Sequence, residues 1–192
     1  LSNHETKASE KLIIQNNNNE LIKIILSKLD ARNIVIIGDS HTYFLDKLEN
    51  IFICHLGPVT AHNLCEDNSS TKGRTKLFNV IKKLNPNISI VGLSFGEIDI
   101  RVHIIKYALN NNISIEEALI RTNRRYLSVV SEIIDIGFKV ILIGPHSSGS
   151  WDFDPEIPYG EEATTIGKVE DRNKSITLWN KILKDFASIN KN

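Results

Sequence analysis

Runs of aliphatic, largely β-branched residues recur along the 192-residue chain, at 33–38, 51–56, 88–95 and 138–144. In each run consecutive positions are apolar rather than alternate ones, the mark of strands buried on both faces. Between and after them, apolar positions return at helical spacing over about 74–84, 101–110, 115–136 and 171–188. A further helix is predicted over about 20–29, where Leu21, Ile22, Ile24, Ile25 and Leu29 share a periodicity, and another from Thr42 onward. Residues 1–8 read as a loose lead-in, and the low helix propensity of Asn16–Asn19 leaves helix or break open there. The segment 145–170 has no periodicity and reads as a lid or binding loop or as disorder. There are no internal repeats.

Strands alternating with helices imply an α/β fold, a three-layer α/β/α domain with a parallel sheet. The expected organisation is an N-terminal lead-in and helix over 1–32 and the α/β domain over 33–192. Right-handed crossovers bring all four strand ends to one edge. Polar chemistry follows every strand there: Gly38-Asp39-Ser40-His41, Gly57 to Asn63, Gly96-Glu97-Ile98-Asp99-Ile100-Arg101, and Gly144-Pro145-His146. Open α/β sheets keep their ligand crevice at this carboxyl edge.

Composition narrows the classes. Lys and Arg number 23, Asp and Glu 23, so the chain lacks the basic excess of a nucleic-acid binder. Arg121, Arg124 and Arg125 lie on a mixed helix with Glu116 and Glu117 and read as a solvated face. Cys54 and Cys65 make neither a disulfide framework nor a metal quartet. No run approaches the length of a membrane span and no leader pattern opens the chain, so a cytoplasmic protein is expected. With Leu first and no Met, the sequence is expected to be part of a larger polypeptide.

Ser40 stands where a strand turns into a helix, a corner that lifts a hydroxyl into the crevice beside backbone N–H groups. At these residues the chain resembles the SGNH or GDSL hydrolase superfamily of esterases and acyltransferases, whose domain is flavodoxin-like. Gly38-Asp39-Ser40-His41 matches the first block, whose Ser is the nucleophile. The Gly57–Asn63 loop stands where a backbone donor to the oxyanion is found, and Gly96-Glu97-Ile98-Asp99 where the third block falls. The resemblance spans about 33–190 and implies a serine ester hydrolase or acyltransferase. By analogy, its substrate is a small-molecule or glycan ester such as an O-acetyl group on a carbohydrate, with no cofactor. Two departures stand out. Ile98 replaces the oxyanion-donating Asn, as in a divergent branch reading Gly-Glu-Ile-Asp-x-Arg. The family's late Asp-x-x-His, carrying the general base, has no match before Asn192, and the native chain is expected to continue.

Ser40 is therefore the candidate nucleophile, with Gly57, Asn63 and Glu97 as candidates for the oxyanion or pocket. Asp39, His41, His62, Asp99, Arg101 and His146 are candidates for substrate binding or support. His41 is expected to line the pocket or cap the next helix, since a neighbour on a tight turn rarely aims its ring at the hydroxyl. His146 is the better placed as base, with His62 and His103 also near the edge; His4 and His55 read as structural. Glu97, Asp99 and Arg101 alternate, so a shared face on an extended or turning stretch is expected, with Arg101–Asp99 the more structural pair. Two rivals remain. Strand-Gly-Asp-x-His also resembles calcineurin-like metallophosphoesterases, where Asp39 and His41 ligate metal, although the further ligand motifs are missing. The other is a non-catalytic binding domain on the same fold.

Overall fold

A computed structural model describes residues 33–39, 41–42, 51–146 and 165–190. The helices predicted over 20–29 and beyond Thr42, the domain assignment of 1–32, most of the 145–170 segment and Ser40 itself lie outside the described residues.

Four parallel strands form one sheet: β1 (Asn33–Gly38), β2 (Ile51–His55), β3 (Ser89–Ser94) and β4 (Lys139–Ile143), in the order β2-β1-β3-β4. This is the opening of the flavodoxin-like doubly wound order. The helices are α1 (Gly73–Ile81), α2 (Ile104–Asn111), α3 (Ile115–Asp135) and α4 (Val169–Ile189). A short 3₁₀ helix, Ala61–Cys65, follows β2, and a π-type turn, Asp99–His103, leads into α2. Strands and helices fall within a few residues of the sequence expectation. Ile88, included in the third apolar run, is left out of β3 and about half exposed, because the backbone turns at Asn85, whose carbonyl accepts from both Ile88 and Ser89 N–H.

Both faces of the sheet are apolar, which accounts for the unbroken aliphatic runs. Val35, Ile37, Val91 and Leu93 point into the main core, where they meet Leu77 and Ile81 of α1, Ile104 and Ala108 of α2, and Leu119, Val129 and Ile133 of α3. Trp179 and Leu183 of α4 join them. The crossovers from β2 to β3 and from β3 to β4 run the same way across the sheet, so a right-handed path puts α1 to α3 on one face. The alternate residues Ile34, Ile36 and Ile90 form a second buried cluster on the opposite face, with Ile51, Ile53, Ile141 and Ile143 against it. Helix α3 is started by Ser114, whose hydroxyl accepts from Glu117 N–H at 3.0 Å in a Ser-x-x-Glu pattern.

Register aligns the strand ends. Gly38 pairs with His55 on one side and Ser94 on the other, and Ser94 with Ile143. The loops leaving the four strands therefore emerge at one level of one edge.

Two glycines shape that edge. A side chain at Gly38 would collide with Thr42 and the Ser94 carbonyl. Gly96 has a φ of 110°, and a Cβ there would lie 2.5 Å from the indole of the buried Trp179. Gly96→Ala combines left-handed strain with overpacking against a ring that cannot retreat, and is expected to cost about 2–4 kcal/mol in equilibrium denaturation.

Candidate active site

Asp39 is the first residue beyond β1. Its N–H donates to the Ser94 carbonyl (3.3 Å), which seats it across the end of β3. Its buried carboxylate takes the His41 N–H at 2.8 Å and lies 3.1 Å from His41 Nδ1. The other ring nitrogen, Nε2, is 3.0 Å from Glu97 Oε2, and Glu97 Oε1 is 3.5 Å from Arg101 Nε. Asp39, His41, Glu97 and Arg101 thus form one chain of alternating charge. Ser94, Phe95, Gly144, Pro145 and His146 join Asp39, His41 and Glu97 around a void of about 10 Å³, the space of a single water.

The two carboxylates set the protonation of His41. Hydrogen bonding to Asp39, then to Glu97, outweighs partial burial and raises its pKa to about 9. At neutral pH the ring is an imidazolium with a proton on each nitrogen, so it has no lone pair to take a proton from a hydroxyl or to bind a metal. His41 lines the pocket. Burial pushes the Glu97 carboxyl upward, but His41 and Arg101 outweigh it and hold the group below its ordinary range. Among the described residues no cluster of three His, Cys, Asp or Glu could hold a metal ion. Behind the pocket, the Thr42 hydroxyl donates to the Asp39 carbonyl (2.7 Å) and lies 2.5 Å from His55 Nδ1. His55 therefore buttresses the turn.

The expected Arg101–Asp99 pairing is corrected. Residues 97–103 are helical, so Glu97 and Arg101, four apart, share a face, while Asp99 points away from them. Asp99 is fully buried. Its Oδ2 accepts from Ala61 N–H (2.7 Å) and its Oδ1 from His62 N–H (3.0 Å). Burial pushes its pKa up to about 6 against those two backbone donors, so it stays largely ionised at pH 7. Asp99 is a staple between the strand-three turn and the loop after β2. Beneath it Tyr126 is buried, and that burial, with Asp39 and Asp99 nearby, pushes its hydroxyl pKa upward and keeps it protonated.

The stapled loop faces a second space. His62 and Asn63 line a cleft of about 290 Å³, together with His103 and Lys106. Gly57, with a φ of 86°, makes a tight turn in which its carbonyl accepts from Val59 N–H (2.7 Å), and lines neither the pocket nor the cleft. Arg125 is not merely solvated: its Nε donates to the His62 carbonyl (2.9 Å), and its guanidinium pairs with Glu66. Sequence reasoning missed Lys106, Tyr126 and the buried Arg172, which donates to the Ile166 and Gly167 carbonyls. Ile166 N–H in turn donates to the Arg101 carbonyl (2.9 Å), tying the start of α4 to the site. The available signal for Arg172 was its place in the stripe of Ser175, Trp179 and Leu183, where an arginine must find internal acceptors.

These features define an α/β protein with a four-stranded parallel sheet and a charged pocket at its carboxyl edge. No family model and no curated protein matches the sequence. Among solved structures, a phospholipase A1 from Streptomyces albidoflavus NA297 is similar over 82% of this chain and 76% of that one, at 14% identity and a TM-score of 0.44. It is a distant likeness that carries no residue roles to this chain. No described helix is long and apolar enough to cross a membrane.

Removing the staple leaves two buried N–H groups unpaired. Asp99→Ala is expected to cost about 3 kcal/mol or more in denaturant unfolding, and Asp99→Asn, which keeps an acceptor, distinctly less. For His41, the folded pKa of about 9 exceeds the ordinary 6.5. Its contribution is complete below pH 6.5 and is lost as pH rises through 9. The ring is about a quarter exposed, so the loss is expected to be on the order of 2 kcal/mol. Unfolding free energies measured across this window should fall for the native chain and stay level for His41→Gln.

Proposed function

We propose that the protein is a serine ester hydrolase or acyltransferase, with Ser40 as nucleophile, acting on an acyl ester of a small molecule or glycan, such as an O-acetyl group. The observation that carries this reading is the joint anchoring of Asp39 and His41, the chain neighbours of Ser40 on either side, in one pocket with Glu97 and His146. A serine hydroxyl needs a base to accept its proton. His41 is unsuited because both ring nitrogens face carboxylates and the ring is charged at neutral pH. His146, on the rim of the same pocket, is the proposed base.

In this scheme Ser40 Oγ attacks the acyl carbon, its proton passes to His146, and the tetrahedral oxyanion collapses to an acyl-enzyme as the protonated His146 returns the proton to the leaving alcohol. Water or a second alcohol then accepts the acyl group by the same steps in reverse. Oxyanion donors are worth about 3 kcal/mol each. Asp99 engages the N–H groups of Ala61 and His62, and Glu97, held ionised, cannot donate. The Ser40 N–H and a Gly57-loop N–H are the proposed donors.

A fluorophosphonate probe is expected to label the protein, and Ser40→Ala to abolish labelling. His146→Ala should slow it by about a hundredfold or more. Labelling that persists in the Ser40→Ala protein would sink the assignment.

A further inference from the structure

The 290 Å³ cleft is not explained by the ester chemistry alone. It opens between the Thr60–Asn63 loop, α2 and α3, and its lining includes His62, Asn63, His103, Lys106, Tyr107 and Thr122. Its volume falls just below the ~300–1,000 Å³ of drug-sized ligand sites, which suits a ligand of about one sugar ring.

Its chemistry is one-sided. No carboxylate is among the residues that line it, although acids make up 23 of the 192 residues. Lys106, exposed on α2, makes no ion pair with a described residue. Asn63, Thr122 and the imidazoles supply neutral hydrogen-bonding groups, and the Tyr107 ring, 5.8 Å from that of His62, offers an aromatic flank.

The wall is also preorganised. Asp99 holds the His62 N–H and Arg125 the His62 carbonyl, so the backbone is clamped on both sides. The Thr122 hydroxyl donates to Ala118 O (2.9 Å) and lies 3.5 Å from His62 Nδ1. That oxygen can receive an Nδ1 proton, leaving Nε2 as an acceptor. Burial, then Arg125, lowers the His62 pKa, so the ring is neutral at pH 7. Burial and Lys106 lower that of His103 as well.

We infer that this cleft binds a hydroxylated ligand carrying an anionic oxygen group, a carboxylate or a phosphate, with Lys106 meeting the anion and His62 and Asn63 the hydroxyls. For the proposed hydrolase this names the substrate as an ester of an acidic or phosphorylated sugar. The inference rests on that reading for what Ser40 does to the ligand and not for its binding.

Calorimetric titration with glucuronate, glucose phosphate and neutral glucose tests it. At least one anionic sugar is expected to bind about tenfold or more tighter than glucose, and the preferred one identifies the source of the anion. Lys106→Gln should remove the discrimination at unchanged thermal midpoint, and Lys106→Arg should keep it. Equal binding of all three, no binding at millimolar concentration, or full discrimination in Lys106→Gln overturns the inference. Lys106-dependent binding in a protein whose Ser40 resists the fluorophosphonate would leave the inference standing and remove the hydrolase reading alone.

Discussion

One buried carboxylate holds the candidate site together. Asp99 has no access to water and no ion pair with a described residue; its charge is met by two backbone N–H groups from a loop that follows a different strand. An ionised group in that setting is tolerable only while both donors are in place. The cost of losing either one fixes the distance between the end of β3 and the loop after β2. Both the pocket around Asp39 and the cleft beside His62 lie on that junction, so their geometry follows from the same two bonds.

Opposite sides of the 97–103 turn carry different duties. Asp99 faces inward and binds backbone, whereas Glu97 and Arg101 face the edge and extend the charge chain from Asp39 through His41. A cation held between two carboxylates is a rigid element, not a proton shuttle. Its ring orientation is fixed from both ends, and its charge persists well above neutral pH. The turn is wound as a π-type helix, a form that often marks functional sites.

Much of the fold was legible because its signals are local. Continuous β-branched runs announce strands buried on both faces, and apolar positions at helical spacing announce α3. The convergence of four polar strand ends followed from handedness, with no knowledge of contacts. The pairing of Asp99 was not legible. An Asp two residues from an Arg suggests an ion pair whenever the intervening backbone is extended, and nothing in Gly-Glu-Ile-Asp-Ile-Arg declares that it is helical. Lys106 and Tyr107 were passed over for a related reason: on α2 they read as an ordinary exposed face until the Thr60–Asn63 loop closes a cleft against them.

The sequence by itself determined the four strands and the four described helices, because those depend on periodicity, steric limits and chain handedness. Tertiary structure alone decided which carboxylate meets which donor, that His41 is a charged brace, and that a cleft without acids opens beside His62. Those outcomes depend on distances between residues far apart in the chain, and electrostatic energy changes too steeply with distance and burial for composition to fix it.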